Sequence, residues 1–99
     1  MKRVMLAPAA RADLASIRSY TLERWGLGQA ETYLRGLGDC LTALAAGSAI
    51  TRPADHIRPG YRRLRYGSHF LFFVEEEQTV RIVRILHQRM DQEAQLEGG

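Results

Sequence analysis

The densest chemistry in this chain is the run Arg58-Pro59-Gly60-Tyr61-Arg62-Arg63-Leu64-Arg65, followed downstream by His69, Arg84, His87 and Arg89. Guanidinium groups grip phosphate or carboxylate oxygens in bidentate fashion, so a surface built this way suits an acidic partner. The same residues contain the elements of a metal-free ribonuclease, in which arginine stabilises a phosphorane-like charge and histidine acts as the acid. The missing part is an evident general base, because nothing in the sequence shows that Asp55 or His56 reaches the site.

Other chemistries find less support. His56, His69 and His87 are far apart in sequence, there is one cysteine, and no pair of candidate ligands has metal-binding spacing, so no metal or cofactor is expected. The glycines near Trp25 lack the lysine and strand context of a phosphate loop. Cys40 lies on the apolar stripe of a predicted helix, where burial disfavours a reactive thiolate. Trp25 is expected to cap the end of the core, the other reading being an exposed anchor for a partner.

The elements that must position these side chains follow from spacing. Lys2 to Leu6 is compatible with a strand and ends before Pro8, which suits the first turn of a helix. From Ala9 to about Arg24, Ala10, Leu14, Ile17 and Tyr20 recur at helical steps, with Arg11, Arg18 and Glu23 on the other side. Trp25-Gly26-Leu27-Gly28 predicts a turn. A second helix begins near Gln29, carries the stripe Ala30, Tyr33, Leu34, Leu37, Cys40, Leu41 and Leu44, and stops at Gly47. Gly36 and Gly38 inside it cost about 1 kcal/mol each relative to alanine, which close packing or a bend must offset.

Ser48 to Gly60, with Pro53 and Pro59, reads as the one long loop. Beyond it Tyr61 to Tyr66, His69 to Glu75 and Thr79 to His87 predict a three-stranded antiparallel meander. Its last two strands do not alternate cleanly. Phe70, Phe72 and Val74 oppose Leu71 and Phe73; Val80, Ile82, Arg84 and Leu86 share one face of the last strand, with Arg81, Val83, Ile85 and His87 on the other. Two helices cover one face, so the C-terminal tail or another chain must cover the second. Met90 to Leu96 is expected to be a short helix or tail before Gly98 and Gly99. The fold class is therefore α+β, a single domain over 1–99 with an N-terminal strand and a helical hairpin packed on an antiparallel sheet.

Composition agrees with a folded, non-membrane protein. The 99 residues are 45% hydrophobic and 25% charged, and no run approaches the ~20 apolar residues a membrane span needs. The start is too short in apolar residues for a signal peptide, which predicts a cytoplasmic location. The net charge of +3 rests almost wholly on arginine, Lys2 being the only lysine. That excess is a mild signal for an acidic partner, although GC-rich coding bias also favours arginine.

Six short motifs then fall in a familiar order: Ala12-Asp13-Leu14-x-x-Ile17-x-x-Tyr20, Trp25-Gly26, Gln29-Ala30-x-x-Tyr33, Arg58-Pro59-Gly60-Tyr61-Arg62, Gly67-Ser68-His69 and Arg84-Ile85-Leu86-His87-Gln88-Arg89-Met90-Asp91. Over nearly its whole length the chain resembles ParE-type toxins of the wider RelE/ParE superfamily, whose fold is a helical hairpin on an antiparallel sheet. The resemblance implies a toxin that inhibits DNA gyrase, is not an enzyme, and is neutralised in a hetero-oligomer by a ParD-like antitoxin, with DNA contacted only through that antitoxin. Arg58, Tyr61, Arg62, Arg63, Arg65, His69, Arg84, His87, Arg89, Met90 and Asp91 are the expected target- or antitoxin-binding residues. Two alternatives remain open: the ribosome-dependent messenger-RNA endonuclease activity of the RelE-like branch, for which Arg63 or Arg65 and His87 occupy places comparable to that branch's catalytic groups, and a non-toxic co-repressor acting only with its antitoxin. Gln88, where some of those nucleases have tyrosine, and the absence of lysine from the sheet region count against RNA cleavage. Ala7 departs from the family in lacking a capping serine before the first helix, a difference of about 0.5 to 2 kcal/mol in stability.

Overall fold

The computed structural model describes residues 1–97, so Gly98 and Gly99 lie outside it. Strand β1 (Arg3–Leu6) leads into helix α1 (Pro8–Trp25) and helix α2 (Leu27–Ala46). Strands β2 (Arg52–Pro53), β3 (Arg62–Tyr66), β4 (His69–Glu75) and β5 (Thr79–His87) follow, and helix α3 (Gln92–Glu97) closes the described chain. The sheet order is β1-β5-β4-β3-β2. The expected antiparallel meander is its centre, but β1 joins β5 in parallel, Val4 opposite Val80, so the sheet is mixed. Tight turns reveal only sequential pairings, whereas the partner of β1 lies at the other end of the chain. The predicted loop likewise contains β2, which pairs Arg52 with Arg63.

Pro8 opens α1 as expected, and Ala7 gives no side-chain cap. The buried line of α1 is Ala10, Ile17 and Thr21, with Leu14 half-buried against the core, whereas Tyr20 is 57% exposed. At about 100° per residue, Thr21 and Tyr20 flank Ile17 on either side, and spacing alone allows either inward. The structure buries the small one and satisfies its hydroxyl, which donates to the Ile17 carbonyl at 2.6 Å. Trp25 corrects the expectation of a core cap, being 61% exposed. The hairpin turn needs only Gly26, at φ 86°, so α2 starts two residues earlier than predicted.

Helix α2 buries Ala30, Leu37 and Leu44 along the predicted stripe. It ends at Gly47, φ 74°, whose N–H donates to the Leu44 carbonyl while Ser48 N–H reaches that of Ala43. Gly36 has the close neighbour its cost required, since a Cβ there would collide with the Tyr66 hydroxyl.

The strand faces hold one correction. Phe72 pairs with Arg84 but Phe73 with Ile82, leaving Val83 as an extra residue in β5. A bulge of this kind reverses the alternation beyond it. Ile85 therefore joins Val80 and Ile82 in the core beneath the helices, and Leu86 joins Val83 on the opposite face, unlike the predicted grouping. That opposite face is also not bare. Ala54 from the long loop and Leu96 from α3 pack on Phe72, Val83 and Leu86, with Ile57 and Tyr61 at the margin. The chain covers its own second face, so apolar strands on both sides no longer argue for a partner there.

Candidate functional site

The hairpin joining β3 to β4 turns on Gly67 and Ser68, with Gly67 at φ 56° and no positive φ at Ser68, the pattern of a type II′ turn. This turn places Tyr66 opposite His69, and His69 opposite His87 at the end of β5. The two imidazoles meet edge to face at 5.3 Å. From α2, Tyr33 reaches over the turn, its hydroxyl 2.7 Å from His69 Nδ1 and 3.2 Å from the Tyr66 carbonyl, and it accepts from Ser68 N–H at 3.3 Å. In return the Tyr66 hydroxyl donates to the Tyr33 carbonyl at 3.0 Å. A phenol has one proton, so every group is satisfied when Tyr33 donates to the Tyr66 carbonyl and His69 carries its proton on Nδ1. Burial, then the neighbouring His87, push the His69 pKa below its ordinary value. His87 Nδ1 accepts from Arg89 N–H at 3.1 Å, which places the proton of the neutral ring on Nε2.

Two concave lobes flank this histidine pair. One, of about 400 Å³, is lined by Tyr20, Thr21, Trp25, Gln29, Tyr33, Ser68, His69 and His87. The other, of about 430 Å³, adds Ser16, Ile17, Arg89 and Met90 to Tyr20 and the same two histidines. Sequence reasoning found His69, His87, Arg89 and Met90, assigned Tyr20 and Tyr33 to the core, and gave Trp25 a partner-facing role only as its second reading. All three stood in the motifs already quoted, Tyr20 and Tyr33 at helical spacing, and an aromatic at an ambiguous edge of a stripe was the available signal.

The arginines go elsewhere. Arg63 and Arg65 point to the α3 side, where their guanidiniums lie 4.7 and 5.7 Å from the Phe70 ring centroid. Gln88 accepts from Arg65 at 2.7 Å and Gln92 from Arg63 at 3.4 Å. The structure therefore separates Arg63 and Arg65 from His87, whose ring faces the helical hairpin. Arg62 is held at the far end of β3, donating to Thr51 Oγ1 from Nε and Nη2 at 3.2 and 2.9 Å. Tyr61 packs beside the α3 face, and Asp55, in the loop that also carries Arg58, accepts from Gly60 N–H at 2.9 Å. Asp91 is the cap of α3, accepting from Ala94 N–H at 3.2 Å.

Arg84 has an internal partner that the sequence did not reveal. Where β1 ends, Asp13 of α1 fills the vacated edge of β5, accepting from Arg84 Nε at 2.7 Å, Arg84 Nη2 at 2.9 Å and Ile85 N–H at 2.9 Å. Both side chains are mostly buried, and the hydrogen bond to Asp13 raises the Arg84 pKa. Arg84 Nη1 also donates to the Gln95 carbonyl at 3.3 Å, tying α3 to the same point. Burial raises the Cys40 pKa, with Asp39 adding to the shift, in keeping with an unreactive thiol. Among the described residues, no three His, Cys, Asp or Glu side chains converge as a metal site would need.

The same fold occurs in chains of solved toxin-antitoxin systems. A chain of the chromosomal ParDE system from P. aeruginosa superposes with a TM-score of 0.73 at 22% identity, over 88% of this chain and 96% of that one. A chain of the YoeB-YefM complex from Staphylococcus aureus superposes at 0.58 with 13% identity, over 88% of this chain and 97% of that one. In sequence, the family model for the ParE toxin of type II toxin-antitoxin system, parDE, matches residues 4–92. Toxin ParE1 of Mycobacterium tuberculosis is 52% identical over 90 residues, 90% of this chain and 92% of the relative. Toxin ParE1 of Caulobacter vibrioides is 38% identical over 96 residues, 97% of this chain and 99% of the relative. The chain belongs to the ParE family and is a toxin of a type II toxin-antitoxin system.

Proposed function

We propose that this toxin acts in the cytoplasm by binding and inhibiting DNA gyrase, that a ParD-like antitoxin neutralises it in a hetero-oligomer, and that it cuts no RNA. The observation that carries the last point is the separation of the basic groups from the acid. A metal-free ribonuclease needs its charge-stabilising arginine and its histidine around one phosphate. Here Arg63 and Arg65 stack on Phe70 on the α3 side while His87 lies on the helical side. Among the described residues, no carboxylate lines either lobe beside His87 to act as base. Kinship with ParE toxins supports gyrase as the target, and the fold shared with chains of the ParDE and YoeB-YefM systems supports an antitoxin partner. DNA is then reached only through the antitoxin.

His69, His87, Arg89 and Met90 are the contact residues this reading favours, because they share one concave surface. Arg84 and Asp91 are engaged within the fold and serve it first. Arg58, Tyr61 and Arg62 lie toward the other end of β3 and offer a second contact region. The test is to run gyrase supercoiling and messenger-RNA cleavage in a translating extract side by side on the purified toxin. Loss of supercoiling with intact messenger RNA is expected. Cleaved RNA with normal supercoiling would reverse the reading, and operator binding with neither effect would make the chain a co-repressor.

A further inference from the structure

The two lobes around His69 and His87 collect exposed apolar side chains that the fold itself does not use. Tyr20, Trp25 and Met90 are 57%, 61% and 48% exposed, and all three line this cleft. Large aromatic and thioether groups around a concave centre are the composition of an interface anchor point. The charge is one-sided. Arg89 lines the second lobe, the Arg24 guanidinium sits 5.8 Å over the Trp25 ring, and among the described residues neither lobe is lined by Asp or Glu. Glu23 belongs to a separate hollow with Tyr20 and Arg24. Each histidine has committed Nδ1 internally, to Tyr33 and to Arg89 N–H, which leaves Nε2 as its remaining polar atom and makes that of His87 a donor for a carboxylate. A nucleic-acid strand would need a track of cations, and Arg63 and Arg65 are on the other side of the sheet.

We propose that this cleft is the docking site for an acidic segment of the antitoxin, which seats large apolar side chains against Trp25 and Met90 on either side of the histidine pair. The inference rests on the antitoxin partnership stated above and is independent of gyrase as the target. Trp25 is the only tryptophan in the chain, so a 5-fluorotryptophan label gives the full-length toxin a single fluorine signal at the site.

The experiment adds full-length cognate ParD-like antitoxin to labelled toxin and measures affinity for wild type, Tyr20→Glu and Met90→Glu. Ile50→Glu serves as the control, Ile50 being 88% exposed and outside both lobes. Binding should shift the Trp25 signal and shield it from acrylamide, and each carboxylate placed in the cleft should weaken the complex about tenfold or more. Ile50→Glu should bind as wild type does, and unchanged melting curves show that the variants fold. A Trp25 signal unmoved by antitoxin, or wild-type affinity in both cleft variants, overturns the proposal. A wild-type toxin that forms no complex overturns it together with the partnership. A signal shifted by gyrase and not by antitoxin overturns it in favour of a target site. Supercoiling measured on the same samples separates the two readings, because a toxin that spares gyrase while its complex buries Trp25 leaves this proposal standing.

Discussion

Replacing Asp13 by alanine should be among the most damaging single changes available, although Asp13 lies on a helix surface in sequence terms. Its carboxylate takes three hydrogen bonds, two from Arg84 and one from Ile85 N–H, and the Asp13 and Arg84 side chains are only 14% and 19% exposed. Removing it strands a mostly buried guanidinium and a strand N–H, a loss of about 3 to 5 kcal/mol for a broken buried pair. A domain of this size has about 5 to 15 kcal/mol in all. At 4 to 8 °C per kcal/mol the melting temperature should fall by about 12 °C or more. Urea melts of Asp13→Ala, Arg84→Met and the double variant give the coupling. The double variant should be less destabilised than Asp13→Ala alone, because no charge is then left unpaired. A loss below about 1 kcal/mol for Asp13→Ala would mean the pair behaves as a solvated surface bridge and would refute the reasoning.

Stability should also fall in mild acid through His69. Its pKa lies below the ordinary 6.5 because burial and His87 disfavour its charged form. The unfolded chain then binds more protons below about pH 6.5, so this contribution is full above that value and is lost as pH drops toward the folded pKa. Stability of His69→Gln between pH 7.5 and 5.5 should change less than that of wild type, and equal slopes would count against the assignment. Gly36→Ala gains helix propensity of about 1 kcal/mol but drives a methyl into the Tyr66 ring, so a net loss of about 1 to 3 kcal/mol is expected in urea melts. Leu96→Ala should loosen α3 and expose Phe72 and Leu86, read as increased binding of a hydrophobic dye. Its cost should stay below the roughly 2 to 5 kcal/mol of a central leucine, because α3 can undock locally.

The helices and the central meander were legible in the sequence because periodicity reports which side of an element is dry. Leu37 and Leu44 in α2 and Leu71 and Phe73 in β4 are buried where their spacing puts them. Three kinds of information were not local. The bulge at Val83 reverses the face of Ile85 and Leu86, and an apolar run does not show where an extra residue sits. The partner of β1 and the Asp13 to Arg84 bridge join residues about seventy positions apart, for which spacing carries no signal. The cleft was half legible: its histidines were singled out by chemistry, but Tyr20 and Trp25 looked like core because aromatics at the end of a helix usually are.

This toxin is proposed to act by docking on the replication machinery and not by cutting RNA. Pulse labelling with thymidine and methionine after induction in growing cells tests it most directly. Thymidine incorporation should fall first while methionine incorporation continues, and co-expressed antitoxin should restore it. Methionine incorporation that collapses first, with DNA synthesis continuing, would contradict the account.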